Sequence, residues 1–149
     1  MSNDQIYMSQ ALELAQQAFA EGEVPIGAVV VSEGNVIGRG FNRPIQQCDP
    51  TAHAEIIAMR EAANALNNYR LTDCQLYVTI EPCAMCVGAM VHARIGRVVF
   101  GALEPRAGAL VSQMKMMDMP HFNHRFDWEV GVLEQACGDL MRDFFRRRR

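Results

Sequence analysis

No stretch of this sequence approaches the roughly 18 apolar residues that a membrane-spanning helix needs, although half of its residues are hydrophobic. Its opening, MSNDQIYMSQ, is polar and acidic and carries neither the basic block nor the apolar block of a secretory leader. The cysteines (Cys48, Cys74, Cys83, Cys86 and Cys137) are odd in number. Without a leader, that argues against a disulfide framework and for a reducing compartment, the cytoplasm. Internal repeats, linkers and low-complexity segments are also missing. The chain has 149 residues, 21% of them charged, and a net charge of −3. It therefore reads as one globular domain over 1–149, large enough to bury about two thirds of its unfolded surface.

Lysine is nearly absent: Lys115 is the only one among 14 basic residues. Five of the arginines fall in the last eight residues, RDFFRRRR. A basic end on an acidic domain suits local contact with nucleic acid. It equally suits a solvated helix C-terminus, where the dipole favours cations. Met114, Met116, Met117 and Met119 cluster in SQMKMMDMPH, which reads as adaptable packing.

Met8, Ala11, Leu12, Ala15, Ala18 and Phe19 recur at helical spacing, with Gly22 as a stop. VPIGAVVVSEGNVIGRG reads as two strands around a Glu33-Gly34-Asn35 turn. Asp49, Pro50 and Thr51 supply capping and first-turn chemistry for a helix running to about Leu66. Leu76 to Ile80 is a strand, Pro82 opens an almost wholly apolar helix, and RVVFGA is a strand. FDWEV is a weaker strand, and Leu133, Ala136, Cys137, Leu140, Met141 and Phe144 mark a last amphipathic helix. The order predicts an α/β protein with helices on both faces of a mostly buried sheet.

Chemistry concentrates in two stretches, PTAHAEIIAM and EPCAMC. Cys83 and Cys86 lie three apart at a helix start, so both thiols share one face where the dipole and free N–H groups favour thiolate. Alone, such a pair is equally a redox dithiol or half of a structural zinc site. His53 as a third donor makes a Cys₂His set. No second C-x-x-C completes a closed shell. His121 and His124 sit in a loop containing Pro and Asn, and His92 reads as a packing or interface residue. Three protein donors leave room for water, as in catalytic zinc sites.

Glu55 poses a difficulty. Two residues apart on a helix means about 200° around its axis, which would send His53 and Glu55 to opposite sides. The objection weakens for a target beyond the helix end, where the backbone is not yet regular. Two helix N-termini should therefore aim at one ion, at the sheet edge where α/β proteins bind ligands. Glu55 would then reach the water rather than the metal and act as proton carrier.

These stretches resemble a known family. Histidine-x-glutamate followed by proline-cysteine-x-x-cysteine is the signature of zinc deaminases of bases and nucleosides. The chain is most similar to the bacterial tRNA-specific adenosine deaminases, through EVPIGAVVV, GFNRPIQQCDPTAHAEI, NYRL, LYVTIEPCAMCVGAMVHARIGRVVFGA and DFFRRRR. The resemblance implies a cytidine deaminase-like three-layer α/β/α fold with a mixed sheet of about five strands. It implies one Zn²⁺ per subunit on His53, Cys83 and Cys86, with Glu55 catalytic. It also implies a homodimer and hydrolysis of adenosine to inosine at the wobble position of a tRNA anticodon. Asn42, Val24, Pro25, Ile26, Ala54, Glu104, Asn123 and His124 match substrate-contacting positions, and the arginine-rich last helix matches one near the RNA. A flipped-out base is cheapest to obtain from a single-stranded loop. One stretch departs: LEPRAGALVS places Glu104 and Arg106 where the family has aspartate and lysine, and Leu110-Val111 where it has small residues. Two other readings stand beside this one. The first is a deaminase of free guanine, cytosine or a nucleotide. The second is a catalytically silent RNA-binding subunit, for which Glu55 would have no use.

Overall fold

Five strands form one mixed sheet in the computed structural model, in the order β2-β1-β3-β4-β5. Residues 1–148 are described; the last of the terminal arginines, Arg149, lies outside them. Along the chain the elements are α1 (Asn3–Ala20), β1 (Gly27–Ser32), β2 (Asn35–Phe41), a short α2 (Pro44–Gln47), α3 (Ala54–Leu66), β3 (Gln75–Ile80), α4 (Ala84–Ala93), β4 (Arg97–Ala102), β5 (Asp127–Val130) and α5 (Glu134–Arg147). β1 and β2 form an antiparallel hairpin, and β1 also runs antiparallel to β3. β3, β4 and β5 are parallel. The hairpin turn places Glu33 and Gly34 at φ 51° and 79°, left-handed geometry that suits the tight connection.

Alternation along the strands divides the core into two layers. Ala28, Val30, Leu76, Val78, Val98 and Phe100 face α3 and α4. Val29, Val31, Tyr77 and Val99 face Met8 and Ala11 of α1 and Cys137 of α5. The molecule is thus a three-layer α/β/α sandwich. No helix of the described residues is long and apolar enough to cross a membrane.

Three boundaries differ from the sequence reading. α1 starts at Asn3, earlier than its apolar stripe, because Ser2 and Gln5 form a reciprocal capping box. α3 starts only at Ala54: the Asp49 carboxylate instead accepts from the Thr51 amide (2.8 Å) in a turn before the helix. The short helix α2 went unforeseen. It is held by the buried Glu23 carboxylate, which accepts from the amides of Ile45 and Gln46 at 3.3 and 2.8 Å.

Close packing aims α3. A Cβ on Gly40 of β2 would lie 2.4 Å from the Ala54 carbonyl oxygen and 2.8 Å from the Ala58 nitrogen. Both are backbone atoms that cannot rotate away. Gly40→Ala is expected to cost about 1–3 kcal/mol by overpacking and to shift the start of α3. A thermal melt checks this, and an unchanged melting temperature would show that the helix has room to move.

At the opposite end of the sheet, Arg97 joins Asp4 (2.8 Å) and Glu129 (2.8 Å), while the Tyr77 hydroxyl donates to Asp4 (2.6 Å). The Arg97 hydrogen bond holds the Asp4 carboxyl below its ordinary range. A depressed folded-state pKa adds stability above the unfolded value that is lost as pH falls. Asp4→Asn should therefore flatten the acid limb of a stability-against-pH curve between about pH 5 and pH 3. Parallel curves for the two proteins would contradict that coupling.

Candidate metal centre and substrate pocket

His53 and Cys83 occupy equivalent places: each is the N-cap of its helix, α3 or α4, in extended conformation (φ −76°, ψ 154° and φ −80°, ψ 173°). N-cap side chains ordinarily accept from amides of their own first turn. These two make no such hydrogen bond. Both turn outward, beyond the helix ends, and meet. The His53 Nδ1 lies 3.6 Å from Cys83 Sγ and 3.5 Å from Cys86 Sγ. Because His53 precedes the regular helix, its angle to Glu55 is not the helical one, and the difficulty of the two-residue spacing disappears.

The donor atoms of His53, Cys83 and Cys86 all lie within 4.8 Å of one another, and no fourth His, Cys, Asp or Glu joins them among the described residues. The spacing fits a metal. Zinc binds sulfur at about 2.3 Å and imidazole nitrogen at about 2.0–2.1 Å, and a tetrahedral angle between such bonds separates N from S by about 3.6 Å. The set is thus a His/Cys/Cys cluster able to hold a metal ion.

Electrostatics support ligation. The Cys86 thiol beside Cys83, helped by His53, pulls the Cys83 thiol down to about 4. Cys86 is pushed up by sharing its proton with Cys83 and by burial. His53 is raised, chiefly by its hydrogen bond to Cys83. The pair therefore holds one thiolate ready and a proton that a cation would displace. Glu55 is in the first turn of α3 and only 3% exposed. Burial pushes its carboxyl up to about 7; its own backbone amide and His53 restrain the rise, and the Cys83 charge adds to it.

Of the residues expected to contact substrate, Asn42, Val24, Pro25, Ile26, Ala54 and Glu104 lie toward the same sheet edge. The Asn42 side-chain oxygen accepts from the Ala54 amide (2.8 Å), which ties the end of β2 to the start of α3. The Asn42 amide donates to the Ile26 carbonyl (3.1 Å), and the Ile26 amide to the Val24 carbonyl (2.8 Å), so Val24, Pro25 and Ile26 run beside Asn42. Glu104 follows β4 at this edge, with its carboxylate accepting from the Arg106 amide (2.9 Å).

The profile of the MafB19-like deaminase family matches residues 2–149. The chain is 49% identical over 147 residues to the tRNA-specific adenosine deaminase of Haemophilus influenzae, an alignment covering 98% of this chain and 85% of that protein. It is 45% identical over 143 residues to the tRNA-specific adenosine deaminase of Aquifex aeolicus, covering 96% and 94%. A structure solved in work on A-to-I editing by tRNA:A34 deaminases at the wobble position of transfer RNA superimposes with a TM-score of 0.89. The identity is 42%, over 91% of this chain and 98% of that one. The chain belongs to the tRNA-specific adenosine deaminase family.

Within the cytidine deaminase-like fold of these deaminases, Asn123 and His124, expected near the RNA, sit beyond the C-terminal end of α4. Asn123 accepts from Arg94 (3.0 Å) and His124 pairs with the Ile95 carbonyl (2.7 Å). Both partners follow the C-terminal end of α4, about 15 Å along the helix from Cys83. They are not brought to the metal centre of their own chain. His92 is exposed on α4 rather than packed within the chain. The arginine tail is engaged locally: Arg146 and Arg147 pair with Asp143, Arg147 lies over Phe19, and Arg148 lies over Phe144. Pairs this exposed are screened by solvent and contribute little to stability. Sequence reading gave no role to Glu23 or Glu81. For Glu81 a signal was present, since it directly precedes Pro82 at the end of an apolar strand.

Cys86→Ala should remove the metal. Elemental analysis of purified protein is expected to fall from about one ion per chain to near zero, and full occupancy in the variant would exclude Cys86 as a ligand.

Proposed function

We propose that this protein is a single-domain zinc enzyme that hydrolyses adenosine to inosine at the wobble position of a tRNA anticodon. The observation that carries the reading is the three-donor centre with a buried carboxylate in the adjoining helix turn, in a chain of this family. The reaction adds water at C6 of adenine and releases the 6-amino group as ammonia. Zinc, if held by His53, Cys83 and Cys86, would supply a water whose pKa is lowered toward ~7.

Glu55 would take one proton of the attacking water and pass it to the ring nitrogen N1, then take the proton of the new C6 hydroxyl and hand it to the departing amine, so that ammonia leaves, the C6 carbonyl forms and Glu55 ends ionised as it began. Asn42 orients the base: its oxygen is committed to Ala54, so its amide donors are left for acceptors of the purine. Val24, Pro25, Ile26 and Ala54 wall the base. The phosphate backbone follows the groove of about 570 Å³ between the loop at Glu104–Arg106 and α5, whose lining includes Arg106, Arg142 and Arg146. A second copy of the chain completes the RNA surface. In a homodimer Asn123 and His124 would serve the neighbouring site, which resolves their distance from Cys83. The reading takes a reducing cytoplasm as the enzyme's compartment and tRNA as its partner.

The test offers zinc-loaded protein an anticodon stem-loop with adenosine at the wobble position and, separately, free adenosine, guanine and cytosine. Inosine should form in the stem-loop; turnover of free bases alone would overturn the reading. Glu55→Ala should keep zinc and fold while turnover drops by at least about 10²–10⁴-fold. Activity within a few-fold of the parent would remove Glu55 from the mechanism.

A further inference from the structure

The carboxylate of Glu81 takes no part in the chemistry above, yet it is 3% exposed and gathers five donors. Its Oε1 accepts from the Glu104 amide (3.0 Å) and the Ser112 hydroxyl. Its Oε2 accepts from the amides of Leu110, Val111 and Ser112 at 3.1, 2.8 and 2.9 Å. A Cβ on Gly108 would lie 2.2 to 2.4 Å from the carboxylate atoms, so a side chain there would push the carboxylate off its donors. A buried carboxylate is costly unless it is saturated with hydrogen bonds, and this one is.

The loop so gathered has two working sides. On the inner side, the Ala109 amide donates to the Pro82 carbonyl (2.9 Å), the residue before Cys83. Ala109 and Leu110 are buried in the same core as Cys86. On the outer side, Leu103 to Arg106 form one wall of the groove that Arg142 and Arg146 close. One carboxylate therefore ties the turn that carries a metal-ligating cysteine to the wall of the arginine groove.

We propose that Glu81 is a positioning residue: it holds the 104–112 loop so that the Pro82–Cys83 turn and the arginine-lined groove keep a fixed relation. The proposal rests on the RNA-deaminase reading and adds to it how the reacting centre and the backbone contacts are kept in step. A stem-loop that reaches both must find them at the right separation. The Glu81 anchor fixes that separation before binding, which lowers the ordering cost of association.

Glu81→Gln discriminates. A glutamine oxygen in place of Oε2 still accepts the three amides of Leu110, Val111 and Ser112. Its NH₂ group then faces the Glu104 N–H, donor against donor. The Glu104–Arg106 arm is released while the 109–112 arm stays on Pro82. Hydrogen exchange on the zinc-loaded full chain should rise about tenfold or more at 104–106 and remain unchanged in 109–112 and α4. Zinc content should be that of the parent, KM for the stem-loop should rise about tenfold, and kcat should stay within about twofold. Should this variant fail to fold, Ser112→Ala removes one donor from Oε1 and carries the same signature in weaker form. Loss of zinc, or a fall in kcat at unchanged KM, would show that Glu81 supports only the cysteine turn. Unchanged exchange and KM would show that the groove does not depend on it. If the parent protein leaves the stem-loop untouched, the RNA reading fails, while the exchange measurement still decides whether Glu81 holds the loop.

Discussion

Two helices in this protein forgo their own caps, and the site depends on that. His53 and Cys83 stand where a side chain ordinarily satisfies first-turn amides, and neither does so. A missing N-cap costs about 0.5–2 kcal/mol per helix. Here the two N-cap side chains face each other across 3.6 Å, a spacing that a tetrahedral cation matches. Binding a metal would offset the lost caps many times over, since structural zinc sites are worth on the order of 10 kcal/mol. The helix dipoles contribute in the same sense, because both positive ends point at a thiolate.

Convergence of this kind needs a rigid frame. α3 lies so close to β2 that Gly38 and Gly40 leave no room for a Cβ against its backbone. α4 is buried against β3 and β4 through Val87, Met90 and Val91. The Asn42 side chain, bonded to the Ala54 amide, links strand end to helix start at the point where His53 must be held. Strand packing thus fixes helix position, helix position fixes the three donors, and the donors leave Glu55 buried beside them. The metal centre and the groove beside Leu103–Arg106 lie at the sheet edge at which β3 and β4 end.

Much of this was legible in the residues. Helical spacing located the long helices, which bury one face, and short apolar runs located the central strands, which are buried on both. The spacing of His53, Cys83 and Cys86 pointed to converging helix tips. The boundaries were harder to place. Ser2 and Gln5 extend α1 through side-chain hydrogen bonds outside the apolar stripe. Asp49 looks like a cap but closes a turn, and the true N-cap is a histidine, a residue with little capping propensity. The placement of Asn123 and His124 at the far end of α4 depends on where a long connection returns after β4, which no local pattern encodes. Glu81 was invisible as an anchor for the same reason, since its donors lie 23 to 31 residues away in sequence.

The central claim is that three side chains grip one cation and leave the fourth place to solvent. Zinc K-edge X-ray absorption on the metal-loaded protein tests it most directly. The account predicts two sulfur scatterers at about 2.3 Å, one imidazole nitrogen at about 2.0–2.1 Å and one further light atom from water. A shell of three or four sulfurs, or one filled by four protein donors, would contradict it.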